Sequence, residues 1–324
     1  MTSMTASFDG LLLIQLGTPA SASPAAVGKY LLEFLGDPHT LGNPPFFWKP
    51  LLRFGIVPLR SRSSAAKYRA MLDISHSSEM PLLTNTVAFA KGVAEKIGPR
   101  MKVAFAFQYG TGPSVSEALG AFAEQGLKNL CVIPLYPQRS SATSGAAIAL
   151  VRKAAENFPD INLHFVDGFA RSDAWARNVA DSIYGKWNEK DDIVLSWHGL
   201  PESRILAGDP YKTDCEASAA LIEKHLNTKV ISCYQSRFGF AKWIGPSTLD
   251  VLHDLGSRQR NVVLAAPAFT ADNLETLYEI DTELKNEFLR AGGGTFVRVP
   301  CLNADPRWIR DFADFIVPRS SGAE

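Results

Sequence analysis

The sequence lacks any long apolar run. Within its 324 residues, no apolar stretch approaches the ~20 residues that a helix needs to cross a bilayer. The first residues, MTSMTASFDGLLLIQLG, place no basic segment before a short apolar run, so no targeting peptide is expected. These absences predict a soluble, cytoplasmic protein.

The sequence also lacks an excess of charge of either sign. Lys and Arg together number 33, as do Asp and Glu, so the formal net charge is zero. Nucleic-acid binding depends on a positively charged surface, and the balance therefore argues against a nucleic-acid partner.

Cysteine is scarce, and several familiar motifs are missing. The four cysteines are far apart and include no C-x-x-C pair, which gives no zinc or iron–sulfur signature and fits reduced thiols. Neither "QLGTP" nor "LYPQRSS" matches a P-loop or G-x-G-x-x-G, which argues against a nucleotide site. No G-x-S-x-G surrounds Ser196, which argues against a hydrolase.

Short apolar runs that alternate with helical stretches are what the sequence does contain. Most runs are apolar on both faces, as in parallel strands covered by helices, and the alternation predicts an α/β fold. Eight such runs suggest two four-stranded sheets that join near residues 160–170, followed by a helix over Asp305–Ile316 that packs on either half. The predicted strands are Leu11–Leu16, Val103–Phe107, Leu130–Pro134, Leu163–Val166, Ile193–Trp197, Lys229–Cys233, Val262–Ala266 and Thr295–Val299.

His198 follows one of these runs directly, in "VLSWHGLPESR". Ligands of open parallel sheets bind outside the carboxyl ends of the strands, where this imidazole is expected. Near pH 7 an imidazole accepts a proton or binds a metal. The alternative is a histidine that only hydrogen-bonds a loop carbonyl.

Three carboxylates, Glu275, Glu279 and Glu283, follow another run at spacings of four residues. This spacing places them on one helix face, where their mutual repulsion favours a cation or shared protons. Oxygen ligands of this kind suit a weakly held divalent metal. Two alternatives stay open: a solvated face, or a capping box between Asp272 and Glu275.

Residues 45–62 combine aromatic and aliphatic side chains with Lys49, Arg53, Arg60 and Arg62. Such a mixture is typical of a segment that lies at a membrane surface, and 46–54 is the predicted contact. The alternative is a helix packed on its domain with an ordinary basic surface.

Motifs along nearly the whole chain resemble the ferrochelatase family, whose members insert ferrous iron into protoporphyrin to complete haem. They are "LLIQLGTP", "LEFLGDP", "VPLR", "LYPQ", "SWHGLP", "GDPY", "QSRFG", "APAFTADNLETLYEID" and "CLNADP". The pairing of S-x-H-G-[LI]-P with a later LET-L-x-E-I is highly specific.

The resemblance implies roles for individual residues. His198 matches the family's catalytic histidine, Glu275 the carboxylate that faces it, and Glu279 and Glu283 an inner row proposed as a metal or proton path. Porphyrin contacts are implied at Arg60, Tyr68, Tyr109, Trp243, Phe269 and Leu16.

Departures from the family pattern refine these expectations. Asn273 stands where animal forms have a second histidine, and Leu16 replaces a tyrosine of the coproporphyrin-using branch, which favours protoporphyrin. "HSSEMP" replaces a glycine-rich loop at 76–81. The cysteine-bearing tail of animal forms is absent, so no iron–sulfur cluster is expected, and no organic cofactor.

The resemblance further implies two similar Rossmann-like domains, each a four-stranded parallel sheet flanked by helices, with the active cleft between them. The expected domains are 1–163 plus 302–324, with a returning C-terminal helix, and 164–301. The expected partners are protoporphyrin IX, Fe²⁺, the inner face of the cytoplasmic membrane and the preceding enzyme of porphyrin synthesis.

The expected reaction is insertion of Fe²⁺ into a buckled porphyrin, with loss of two pyrrole protons. His198 would act as general base, while Glu275 and Glu279 relay protons or deliver iron. The sequence leaves open which of His198 and Glu275 holds the metal and which accepts protons, since coupled groups can share both roles. The alternatives are a chelatase for coproporphyrin or for another metal such as cobalt, and a non-catalytic haem or iron carrier.

Overall fold

The structure, a computed structural model, describes residues 8–41, 45–237 and 241–320. The chain divides into two compact units. The first unit comprises residues 1–136, 140–168 and 304–324, and the second comprises 137–139 and 169–303.

The first unit is built on a four-stranded parallel sheet in the order β2-β1-β3-β4. Its strands are β1 Gly10–Thr18, β2 Lys102–Gly110, β3 Asn129–Pro134 and β4 Asn162–Phe165. Leu12, Ile14 and Val132 are fully buried and pack with apolar residues of the covering helices. The central strand is apolar on both faces because helices cover both.

The second unit repeats this plan with the order β6-β5-β7-β8, again parallel throughout. Its strands are β5 Asp192–His198, β6 Ile231–Gln235, β7 Val262–Ala265 and β8 Phe296–Arg298. Within the described residues, the predicted pair of four-stranded parallel sheets is therefore confirmed. Strand β6 lies two residues later than the predicted Lys229–Cys233, because Tyr234 and Gln235 continue the ladder beside Trp197 and His198.

Helices follow most strands. In the first unit they are α1 Pro24–Phe34, α2 Pro38–Leu41, α3 Trp48–Leu51, α4 Val57–Ser75, α5 Pro81–Ile97, α6 Val115–Glu124, α7 Ser144–Ala155 and α13 Pro306–Ser320. In the second unit they are α8 Asp173–Tyr184, α9 Glu202–Leu206, α10 Tyr211–Leu226, α11 Thr248–Ser257 and α12 Lys285–Arg290. Two π-helical segments, Leu52–Ile56 and Glu275–Leu284, and a short 3₁₀ turn, Gly98–Arg100, complete the regular structure. No helix in the described ranges is both long and apolar enough to span a bilayer.

The last helix, α13, packs against α5 of the first unit. The ring of Phe89 stacks on Trp308 at 6.2 Å between centroids and meets Phe312 edge-on at 5.0 Å. A Cβ at Gly92 would lie 2.5 Å from Ile309 Cδ1, so glycine permits the close approach of the two helices. Helix α13 therefore belongs to the first unit, together with β1.

Candidate functional site

The predicted catalytic histidine lies at the carboxyl end of the central strand of the second sheet. His198 is the last residue of β5 and pairs in register with Gln235, the last residue of β6. Side chains at the ends of adjacent parallel strands emerge at one edge of the sheet, where ligands of such folds bind.

The His198 ring is held by a hydrogen bond that fixes its tautomer. Its Nδ1 lies 2.7 Å from the carbonyl oxygen of Gly199, and a carbonyl only accepts, so Nδ1 carries the proton. In the neutral ring, the lone pair is therefore on Nε2, which is free to take a proton or a metal. Phe269 meets the half-buried ring edge-on, at 6.1 Å between centroids.

The residue after the histidine has to be glycine. Gly199 donates its N–H to the Gln235 carbonyl at 2.7 Å. A Cβ there would lie 2.6 Å from that oxygen and 3.1 Å from the Trp243 ring. Because Gly199 has no side chain, Trp243, a predicted porphyrin contact, can pack against the turn that follows His198.

The acidic row lies on a helix whose first turn is capped by Asn273. Thr276 donates its N–H to Asn273 Oδ1 at 3.1 Å, and Asn273 donates its own N–H to Thr276 Oγ1 at 3.0 Å. These two bonds form a reciprocal cap. The alternative of a capping box between Asp272 and Glu275 is wrong, because Asn273 and Thr276 make both bonds.

Glu275, Glu279 and Glu283 lie on the π-helical segment Glu275–Leu284. All three are half-buried, so a fully solvated row is excluded. The hydrogen bonds of a π-helix close over one more residue than those of an α-helix, and side chains four apart still share a face. Segments of this kind are rare and occur often at functional sites.

Glu279 is the member of the acidic row whose pKa is affected by His198. It accepts a hydrogen bond from Ser236 Oγ at 2.7 Å. Burial raises the pKa of Glu279; Ser236 and His198 lower it, while Glu275 and Glu283 raise it further. The raised pKa brings this carboxyl closer to the range in which it exchanges protons at neutral pH.

No group of three or more His, Cys, Asp or Glu side chains in the described ranges forms a ready-made metal cage. Metal binding by the four predicted ligands, His198, Glu275, Glu279 and Glu283, stays a prediction.

The start of the acidic helix is held by a network of buried charges. Arg298 donates to Asp272 Oδ1 at 2.8 Å and to Asp281 Oδ2 at 2.6 Å. Asn303 donates to Asp272 Oδ2 at 2.8 Å and accepts from the Asp272 N–H at 2.8 Å. The "CLNADP" motif thereby positions the segment that precedes Glu275.

The remaining predicted contacts lie in the first unit. Leu16 is half-buried on β1, and Tyr109, on neighbouring β2, donates its hydroxyl to Asp37 Oδ2 at 2.6 Å. Arg60 and Tyr68 lie on α4, the first exposed and the second buried. His198, Phe269, Trp243 and the acidic row are grouped in the second unit.

Ser236 and Gln235 belong to this site, although the sequence did not single them out. Ser236 has φ near +63°, an unfavourable backbone conformation for serine that occurs preferentially at functional positions. Gln235 accepts from Ser196 Oγ at 2.7 Å and donates to the Glu275 carbonyl at 3.2 Å. The signal in the sequence was their place in "YQSRFG", directly after the predicted strand Lys229–Cys233.

Two solved structures share the fold of this chain. SirB from Bacillus subtilis with Fe³⁺ aligns with a TM-score of 0.62 at 12% identity, covering 97% of this chain and 96% of that chain. The sirohydrochlorin chelatase SirB from Bacillus subtilis subspecies spizizenii, in complex with cobalt, aligns with a TM-score of 0.59 at 12% identity, covering 96% and 94%. These two structures show a shared chelatase fold. The model of the Ferrochelatase family matches residues 8–320, so the chain belongs to the ferrochelatase family.

Proposed function

We propose that this chain inserts Fe²⁺ into protoporphyrin IX, forming protohaem and releasing two protons. The observation that carries the proposal is His198, whose Nδ1 is occupied by Gly199 while Nε2 is left to react beside a row of half-buried carboxylates. The reaction needs a group that takes protons from pyrrole nitrogens and oxygen groups that hold iron briefly.

His198 is the proton acceptor in this proposal. Each porphyrin N–H must lose its proton before the nitrogen can bind iron, and a neutral imidazole is suited to that transfer near pH 7. The Gly199 carbonyl keeps the accepting Nε2 in one orientation. The resulting imidazolium is stabilised by the nearby Glu279 carboxylate, because the two groups interact electrostatically.

The acidic row is the path for iron and for released protons. Glu275, Glu279 and Glu283 supply hard oxygen ligands, and Fe²⁺ passes along them as a substrate. The proposal requires weak binding, because a tight site would not release its ion to the ring. The raised pKa of Glu279, caused first by burial, lets it carry a proton in the opposite direction.

The porphyrin contacts follow from the same proposal. Phe269 and Trp243 offer aromatic surface to the ring near His198. In the first unit, the exposed guanidinium of Arg60 is suited to a propionate, while Tyr68, Tyr109 and Leu16 contact the macrocycle.

An anaerobic insertion assay tests the proposal. The protein is mixed with protoporphyrin IX and Fe²⁺, and we expect turnover well beyond one equivalent of haem, followed by absorbance. Parallel reactions contain Co²⁺ or Zn²⁺, and coproporphyrin or sirohydrochlorin, because the SirB structures contain Fe³⁺ or cobalt and one is named a sirohydrochlorin chelatase. Faster turnover of another combination of metal ion and tetrapyrrole would identify that combination as the substrates instead. An absorbance change that stops at one equivalent would indicate a carrier.

Glu275→Gln is expected to slow iron insertion about tenfold or more while leaving the free energy of unfolding nearly unchanged. The reason is that Glu275 takes no part in capping its helix, whereas Asn273 does. Asn273→Ala, the control, is expected to cost about 1 kcal/mol of stability. Insertion rates and urea denaturation check both effects. An unaltered rate in Glu275→Gln would remove this carboxylate from the reaction.

We also propose that residues 46–54 hold the protein at the inner face of the cytoplasmic membrane. Phe46 is 96% exposed and Phe54 77% exposed, and the cations Lys49 and Arg53 lie among them. Trp48 anchors the segment, because its indole N–H donates to the Leu35 carbonyl at 2.9 Å. Exposed aromatic groups beside cations suit an anionic lipid surface.

Vesicle co-sedimentation tests this contact. Phe46→Glu combined with Phe54→Glu should weaken binding to anionic vesicles by about tenfold or more, since each phenyl ring contributes about 1.5 kcal/mol or more when buried. Leu206→Glu is the matched control, because Leu206 is an 86% exposed apolar side chain in the second unit. Equal binding by all three proteins would contradict the proposal.

A further inference from the structure

Ser196 is a fully buried serine on the central strand of the second sheet, and the proposed reaction assigns it no role. Side chains alternate between the two faces of a strand, so Ser196 lies on the same face as Val194 and His198. Val194 packs in an apolar cluster with Ile280 of the acidic helix. A hydroxyl in such surroundings costs free energy unless it is hydrogen-bonded, and its partners therefore indicate its role.

The Ser196 hydroxyl orients the side-chain amide of Gln235. Its Oγ donates to Gln235 Oε1 at 2.7 Å, which fixes the amide nitrogen as the group that faces the acidic helix. That nitrogen donates to the carbonyl oxygen of Glu275 at 3.2 Å. The hydroxyl of Ser196 thus determines which end of the amide meets Glu275.

Thr248, at the start of α11, completes this set of bonds. Ser196 has one hydroxyl hydrogen and gives it to Gln235, so Thr248 is the donor in the 2.8 Å contact between the Oγ atoms of Thr248 and Ser196. Ser196, Thr248 and Gln235 are at most 3% exposed. A buried chain of hydrogen bonds therefore runs from α11 through β5 and β6 to the first residue of the acidic segment.

Gln235 also holds the turn that follows His198. Its backbone carbonyl accepts from the Gly199 N–H at 2.7 Å, and the carbonyl of Gly199 bonds His198 Nδ1 at 2.7 Å. Gln235 therefore bonds the turn of the histidine through its backbone and the start of the acidic segment through its side chain.

We propose that Ser196 is a positioning residue, which holds Glu275 in place relative to His198 through the amide of Gln235. Its hydroxyl acts on neither group directly, because its hydrogen is bonded to Gln235. A small displacement of a reacting group slows a reaction strongly, so loss of this hydroxyl should slow insertion. The effect on insertion rests on the function proposed above, whereas the link between Ser196 and the acidic segment does not.

Ser196→Ala, compared with Ser218→Ala, tests the proposal. Ser218 is the matched control, since it is also fully buried in the second unit and accepts from a glutamine amide, Gln138 Nε2, at 2.9 Å. Both variants should lower the urea midpoint to a similar extent, because each deprives a buried amide of a partner. Only Ser196→Ala should lower kcat for iron insertion, by about tenfold, with the KM for porphyrin nearly unchanged. Only Ser196→Ala should speed amide hydrogen exchange in Glu275–Leu284 severalfold.

Ser196→Ala combined with Gln235→Met separates positioning from stability. The double variant removes both polar side chains, so it should recover part of the stability that Ser196→Ala loses. Thr248 can then donate to Cys233 Sγ, which lies at 3.3 Å. The Glu275 carbonyl still lacks the amide donor, so insertion should stay as slow as in the single variant. Recovery of insertion together with stability would overturn the proposal.

Equal hydrogen exchange in Glu275–Leu284 of Ser196→Ala and Ser218→Ala would also overturn it, as would insertion by Ser196→Ala at the unaltered rate. The exchange measurement requires no activity and therefore separates the two hypotheses. If the unaltered protein inserts no metal but Ser196→Ala still speeds exchange in this segment, the proposed function fails while Ser196 remains the residue that holds the acidic segment.

Discussion

His198→Ala is expected to lower the rate of iron insertion by about 10²- to 10⁴-fold while porphyrin binding stays within a few-fold of the unaltered protein. That range is the usual contribution of a positioned general base. The alanine variant lacks the Nε2 that we propose as the acceptor of the pyrrole protons, whereas Phe269 and Trp243, the proposed contacts of the ring, remain. Insertion rates and quenching of porphyrin fluorescence measure the two effects separately.

His253→Ala is the matched control for this prediction. His253 is a surface histidine of the second unit, 47% exposed and 3.4 Å from Glu287, so its loss should leave insertion unchanged. Added imidazole should restore part of the activity of His198→Ala, because a small base can enter the space left by the ring. Near-normal insertion in His198→Ala would remove this histidine from the mechanism.

The fold was predictable because its central strands are buried on both faces. Runs such as Leu11–Leu16 and Val262–Ala266 have no amphipathic alternation, and only a covered parallel sheet buries such strands completely. The carboxyl end of β6 was less predictable. Gln235 is polar and yet 3% exposed, since Ser196 and the Glu275 backbone satisfy its amide.

The candidate site was predictable only where its features are local in the sequence. The position of His198 after an apolar run and the four-residue spacing of the acids are local features of the sequence. The hydrogen bond from Ser236 to Glu279 is not a local feature, because it joins residues 43 positions apart in the chain. The four-residue spacing of the three glutamates also does not distinguish an α-helix from a π-helix, because side chains four residues apart share a face in both.

Arg139, in the segment 137–139 of the second unit, forms an ion pair with Asp214, whose carboxylate is almost completely buried. Arg139 donates from Nε to Asp214 Oδ2 at 2.8 Å and from a terminal nitrogen to Oδ1 at 3.0 Å. The Asp214 side chain is 1% exposed, and Arg171 approaches it at 3.6 Å. Burial alone would raise the pKa of Asp214, but the hydrogen bonds and charge of Arg139, aided by Arg171, lower it.

Arg139→Met is expected to destabilise the second unit by about 3 kcal/mol at pH 7, since the buried carboxylate of Asp214 loses both guanidinium bonds and keeps only the weaker contact with Arg171 at 3.6 Å. Because the pKa of Asp214 is lowered in the folded state, the pair stabilises the protein above the pKa of an unfolded aspartate, about 3.9, and this contribution is lost as the pH falls through the lower folded value. The difference between the two proteins in urea denaturation should therefore be largest near neutral pH and shrink in acid.

Arg260→Met is the matched control for this ion pair. Arg260 binds Asp192 with the same two-bond geometry, at 2.7 and 3.0 Å, but on the surface. Its loss should cost less than about 1 kcal/mol. Arg139→Met combined with Asp214→Asn should recover part of the stability, because the amide removes the buried charge. Equal losses in Arg139→Met and Arg260→Met would show that burial of Asp214 does not determine the strength of this pair.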